Sequence, residues 1–236
     1  MDKPFLNYDE QINKLKNDYG LLIFNHNFEK TLLESISYYD LINGYKDCFM
    51  IDGKFKEGIS LFSLFYFKIF DMNFQNIIFK YSVYAENSFK TKLAYILSEE
   101  YGEHHNNYLD RNNFQVNRRI RREVRKFTQT LNNIKQIALH SNDHPTKHYR
   151  ASHNHIPAWI LFKNVKFNDC INLFRFLEKD LKLKLIQRFF NSNIFSDDDS
   201  IRLFKNFISI IRKFRNKIAH NSKVITYTVD SRYELH

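Results

Sequence analysis

Arg215-Asn216-Lys217-Ile218-Ala219-His220-Asn221 close the last apolar-periodic stretch of this chain. An Arg followed five residues later by His has a chemical rationale. Imidazole moves protons near neutral pH, with an unperturbed pKa of about 6.5. A guanidinium stays charged and its fork matches phosphate oxygens. Together they suit cleavage of a phosphodiester whose own 2′-hydroxyl is the nucleophile, so neither a protein nucleophile nor a metal-activated water is required. A plainer reading stands beside this one: a surface Arg, and a His interacting with the dipole of a helix C-terminus. Arg150 and His155 repeat the spacing in a stretch without periodicity.

The segment must be held by a helix. Leu203, Phe207, Ile210, Ile211, Phe214 and Ile218 recur at three- and four-residue steps, which predicts a helix from about Asp199 to His220 with that stripe buried. Asp197, Asp198 and Asp199 stand where acidic residues favour a helix N-terminus. Asn216 and His220 are four apart and share a face. Arg215 and His220 lie about 140° apart around such a helix. One helix is therefore a poor compact site, and two copies across a dimer axis make a better one.

The densest charge is Arg118-Arg119-Ile120-Arg121-Arg122-Glu123-Val124-Arg125-Lys126. Arg118, Arg121, Arg122 and Arg125 line one side of a helix expected over Phe114–His140. With Arg119 and Lys126 they form a candidate RNA-backbone contact. The alternative is a solvated helix face. His140, His144 and His148 have zinc-like spacing, but Pro145 interrupts any helix there and no Cys is close, so no metal site is assigned. His104-His105 carries no distinct signal, and Glu86 reads as an ordinary helical ion pair with Lys90. No Gly-x-Ser-x-Gly elbow and no Gly-rich phosphate loop occur, so hydrolase-triad and nucleotide-driven chemistry have no support and no cofactor is expected.

Five Gly and three Pro in 236 residues leave little room for tight turns, which favours an all-α fold over a sandwich or barrel. The net charge of +10 points to a polyanionic partner. Two Cys make no disulfide framework, and the N-terminus is no signal peptide, so a cytoplasmic protein is expected, with no membrane partner. Helices are expected at Tyr8–Tyr19, Asn27–Asn43, Ser60–Phe70 and Asp71–Tyr101. Loops are expected over 103–113 and 141–157, and helices near 158–163 and 167–190. Val224–Val229 favours extended structure. No repeat or linker divides the chain, which reads as one domain over 1–236, its N-terminal helices (about 1–58) packing on a bundle.

Several short motifs stand in order along the chain. They are Lys3-Pro4, Tyr8-Asp9-Glu10-Gln11-Ile12, Gly20-Leu21, Ile36-Ser37-Tyr38-Tyr39 and Leu41-Ile42-Asn43-Gly44-Tyr45. They continue through Glu86, Lys90-Thr91, Tyr101-Gly102, Ile156-Pro157-Ala158-Trp159-Ile160 and Phe167 to the Arg215–Asn221 motif. In this order they resemble the Abi-like abortive-infection proteins of bacteria, the AbiD/AbiF group, and the resemblance spans about residues 3–227. It implies a HEPN-like helical bundle with additional helices. It also implies a metal-independent endoribonuclease of a phage-defence or toxin–antitoxin system, with Arg215 and His220 catalytic and Asn216 supporting. The implied partners are RNA, as substrate and as a small structured antitoxin RNA, and a second copy of the chain. The alternative is an RNA-binding protein of the same fold that cuts nothing. Asp40, Lys90 and Asn168 depart from residues common in relatives, which puts RNA contact at those three positions in doubt.

Overall fold

The computed structural model describes residues 4–190, 195–220 and 222–229. The fold is all-α: among the described residues, helices are joined by loops and one short hairpin is the only sheet. Contacts divide the chain into two compact units. One holds residues 4–77 with 222–227, the other 78–190 and 195–220 with 228 and 229. The longest helix runs through both.

The first unit begins with α1 (Tyr8–Asn17), closed at its N-terminus by a capping box. The Asn7 side chain accepts from the Glu10 N–H, and the Glu10 carboxylate accepts from the Asn7 N–H. In α2 (His26–Ser35) the chain breaks at Ile36, where the backbone turns extended. It winds again as a π-type turn at Tyr39–Asn43 that runs directly into α3 (Gly44–Phe49). The single helix expected over Asn27–Asn43 is therefore two pieces. Gly44 does not end a helix, because its φ of −60° is ordinary helical backbone. A hairpin follows, β1 (Met50–Ile51) and β2 (Lys54–Phe55), reversed at Asp52 and Gly53, whose φ values are +49° and +81°. Glycine meets the second of these without strain. Ile12, Leu15, Leu33, Leu41, Tyr45, Leu61 and Leu64 form this unit's core.

The long helix, α4 (Leu61–Tyr101), is continuous where two helices were expected. Asp71 does not start a helix. It is fully buried on α4 and receives hydrogen bonds from the Tyr45 hydroxyl at 2.8 Å, Gln75 Nε2 at 2.9 Å and the Ile225 N–H at 3.0 Å. The Val224 N–H points at the same carboxylate from 3.3 Å. This carboxylate fixes the segment after the last helix, which has no strand partner among the described residues despite its β-favouring composition. The middle of α4 is inverted. Asp71, Gln75, Ser82 and Glu86 are buried, while Phe70, Phe74, Ile77, Tyr81 and Tyr84 are exposed at alternating four- and three-residue steps.

The second unit adds α5 (His105–Tyr108), a 3-10 turn at Arg111–Asn113, α6 (Arg121–His140) and α7 (Thr146–Ser152). It ends with α8 (Ala158–Asn164), α9 (Phe167–Arg175), α10 (Lys179–Gln187) and α11 (Asp197–Ala219). Its core is aromatic: Phe89 of α4 packs against Phe174 and Phe204, with ring centroids 5.9 and 6.1 Å away. Helix α6 starts seven residues later than expected, and short helices occupy parts of both polar loops. Helix α11 begins where the three aspartates stand, with Ser196 as its cap. Its buried side differs from the expected stripe: Ile201, Phe204 and Ile208 enter the core, whereas Phe207 is 49% exposed. Leu203, Ile210, Phe214 and Ile218 are only half-buried. The helix carries two apolar faces, and the periodicity alone does not rank them.

Candidate active site and basic surface

Arg215 and Asn216 sit in the last turn of α11, and His220 is the residue that ends it, with φ −95° and ψ 18°. Its N–H still bonds the Asn216 carbonyl, 3.2 Å away, so Asn216 fixes the backbone of the histidine. The Asn216 side chain turns elsewhere, its Oδ1 accepting from Arg215 Nη1 at 3.3 Å. His220 is exposed, and Arg215 is about a third exposed with a side-chain value of 36%. Asn221 lies outside the described residues.

Glu86 is more than an ordinary helical pair. Its Oε1 holds Lys90 Nζ at 2.7 Å, and its Oε2 lies 3.3 Å from Arg215 Nε. The second contact lacks hydrogen-bond alignment, so it is a charge pair rather than a donated bond. Glu86 is buried, and its carboxylate joins α4 to the C-terminal turn of α11 across 129 positions of sequence. Two cations around one carboxylate leave the group with one positive charge in excess. The one donated bond named here, from Nη1 to Asn216, leaves further N–H groups of Arg215 for phosphate oxygens. Cys170 is fully buried close by, its thiol pushed up to about 12 chiefly by burial, with Glu86 and Asp169 adding to the shift and Lys90 opposing it. It is therefore a protonated packing group.

Arg150, the Arg of the repeated spacing, has a structural task. Its guanidinium donates to the carbonyls of Ala138 at 3.1 Å and Ser141 at 2.6 Å and so closes the C-terminus of α6. His155 stacks near His104, which in turn stacks on His105. His105 Nδ1 accepts the Ile156 N–H at 3.3 Å. Burial first, then the two neighbouring histidines, holds its pKa below the ordinary value, so it is a neutral acceptor at pH 7. No group of three metal-ligating side chains is found among the described residues.

Only part of the basic run lies on a helix. Arg118 and Arg119 lie in the turn before α6, and both are exposed. Arg121 is the first helical residue. Arg125 faces a recess with Thr128, Gln129 and Asn132, while Arg122 and Lys126 face a different one. Arg121, Arg122 and Arg125 still fall within about 100° of one another around α6. None of the described helices is long and apolar enough to cross a membrane.

A helical fold with an Arg–Asn–His terminus braced by a buried carboxylate is consistent with the resemblance noted in the sequence. Comparison with family profiles settles the class: the profile of Abi-like proteins matches residues 31–226. The chain belongs to the Abi-like protein family, which supports a role in abortive infection, the bacterial defence against phage. Neither the curated proteins nor the solved structures that were compared gave a match.

Proposed function

We propose that this protein is a metal-independent HEPN-type endoribonuclease acting in abortive infection. The observation that carries the reading is the Arg215 guanidinium, set between Glu86 and Asn216 one turn before His220. His220 takes the proton of the RNA 2′-hydroxyl as general base. The 2′-oxygen then attacks phosphorus, and Arg215 stabilises the charge that builds on the phosphate oxygens. The bond from phosphorus to the 5′-oxygen breaks, and that oxygen leaves with a proton returned by an imidazolium. The products are a 2′,3′-cyclic phosphate and a 5′-hydroxyl. Asn216 is a positioning residue that braces Arg215 and the backbone of His220.

A second copy supplies the opposing motif. Leu203, Phe207, Ile210 and Phe214 form a seam at four-, three- and four-residue steps on the motif-bearing helix, with Phe207 half exposed. Such spacing suits a facing helix. A small structured RNA is the further partner that the basic surface would hold.

Purified protein and its variants, incubated with labelled RNA, test the reading. His220→Ala should abolish cleavage and Arg215→Ala should reduce it severely. General acid–base catalysis contributes about 10²–10⁴-fold, so a loss under about tenfold for His220→Ala does not fit. EDTA should leave the rate intact, and a 2′-deoxy nucleotide at the cut position should block it. Binding of RNA without any cleavage would instead support the non-cleaving RNA-binding protein. Phe207→Glu should shift the mass seen by light scattering from dimer to monomer.

A further inference from the structure

Three helices of the second unit line a half-open pocket of about 550 Å³ that the proposed mechanism does not use. Arg122 and Lys126 reach it from α6, Arg175 from the end of α9 and Lys205 from α11. Gln115, Asn206 and Glu123 also line it. Among the described residues, four cations and one carboxylate line it. Arg175 Nη2 donates to the Ser209 hydroxyl at 3.4 Å, which anchors that guanidinium to α11.

Like charges gathered this closely repel one another. Lys126 is held below the ordinary lysine pKa, first by burial and then by Arg175, Arg122 and Arg212. Lys205 is lowered first by burial and then by Arg175, with Glu123 only partly opposing. Lys182 of α10 is lowered to about 8, by burial and then by Lys205. A folded protein gathers cations that repel one another at functional sites more often than elsewhere. An anion in their midst would turn that repulsion into charge-assisted hydrogen bonds.

We propose that this pocket binds a phosphate group, with Lys126, Arg175 and Lys205 as its principal donors and Arg122 at its rim. The phosphate comes either from an RNA backbone or from a free nucleotide. The ribonuclease reading bears only on that choice of source. The pocket takes up two members of the basic run, Arg122 and Lys126, and adds Arg175 and Lys205 from distant sequence.

The test uses the full chain and two probes. In the first arm inorganic pyrophosphate is titrated while the unfolding temperature is followed, since a ligand of the folded state raises it. Wild type should be stabilised, and so should Lys54→Gln, which removes an exposed charge in β2 and controls for net charge. Lys205→Gln and Lys126→Gln should need about tenfold more pyrophosphate for the same shift. In the second arm a short single-stranded RNA is titrated against His220→Ala, with and without Lys205→Gln, over a range of salt. Loss of one phosphate contact should lower the salt slope by about 0.7. Weakening in both arms assigns the pocket to RNA backbone, and weakening with pyrophosphate alone assigns it to a free nucleotide. If Lys205→Gln and Lys126→Gln match wild type with pyrophosphate, and Lys205→Gln leaves RNA binding unchanged, the proposal is overturned. Failure of RNA cleavage in wild type would instead refute the ribonuclease and leave the pyrophosphate arm untouched.

Discussion

A guanidinium facing a carboxylate is held in direction as well as in charge. Glu86 restrains Arg215 through Nε, and Asn216 restrains it through Nη1, so the fork has little freedom to turn. Glu86→Gln would keep the shape and remove the charge, leaving Lys90 and Arg215 without their counter-ion. Breaking a fully buried pair costs roughly 3–5 kcal/mol. Arg215 is a third exposed, so a loss of about 1–3 kcal/mol is expected here, read from the urea midpoint. Cleavage should fall through kcat, with KM little changed, because the guanidinium would still be present but poorly aimed. A fall in stability with unchanged kcat would show that Glu86 only packs. Asn216→Ala should act in the same direction and more weakly, since the backbone bond from His220 to residue 216 survives the substitution.

The element that organises the first unit is α4, and its decisive residue there is Asp71. Asp71→Ala would strand the Tyr45 hydroxyl and Gln75 in the core and take the acceptor from the half-buried Ile225 N–H. Each unsatisfied group costs about 1–3 kcal/mol, so a total of at least about 3 kcal/mol is expected, with faster proteolysis at 222–229. The sequence announced α4 as helical but divided it at Asp71, because an aspartate before an apolar run looks like a cap. It acts instead as a buried acceptor whose donors come from residues 45 and 224–225, beyond the reach of any local window. Caps and termini were legible for the opposite reason. Asn7 with Glu10, and Ser196 and the aspartates before α11, act within one turn. The Arg215–His220 motif was legible as spacing. Its brace was not, since Glu86 lies 129 positions away and has a local lysine partner to explain it. On α11 the core face was misjudged because two apolar faces compete, and only packing against Phe89 and Phe174 chooses Phe204 over Phe207.

Helix α10 yields a pH prediction. Lys182 has a folded pKa of about 8 against an ordinary value of 10.5. Above pH 10.5 both states carry a neutral amine, and the group contributes nothing. Between 10.5 and about 8 the unfolded chain binds the proton and the folded chain does not. Stability from this group therefore falls as pH falls through that window and levels off below about 8. Lys182→Met should flatten that part of the stability profile, as measured by urea unfolding at a series of pH values. An identical profile for wild type and variant would show that the amine reaches solvent.

At the scale of the whole molecule, the net charge of +10 is not spread evenly. Part of it is gathered in the α6–α9–α11 pocket, and part stands exposed at Arg118 and Arg119. Replacing the exposed pair with Gln should weaken RNA binding modestly and uniformly across sequences, as lost phosphate contacts do. The two thiols offer a different measurement. Cys48 is half-buried in the first unit, while Cys170 is sealed in the second, where burial above all keeps it protonated. A thiol reagent in excess should consume Cys48 first. Cys170 can react only when the helices around it part, so its labelling rate counts those openings. The chain thus contains its own clock for the breathing of the core that supports Arg215. Slower ticking when pyrophosphate is added would report, without any nuclease assay, that an anion had locked α9 to its neighbours.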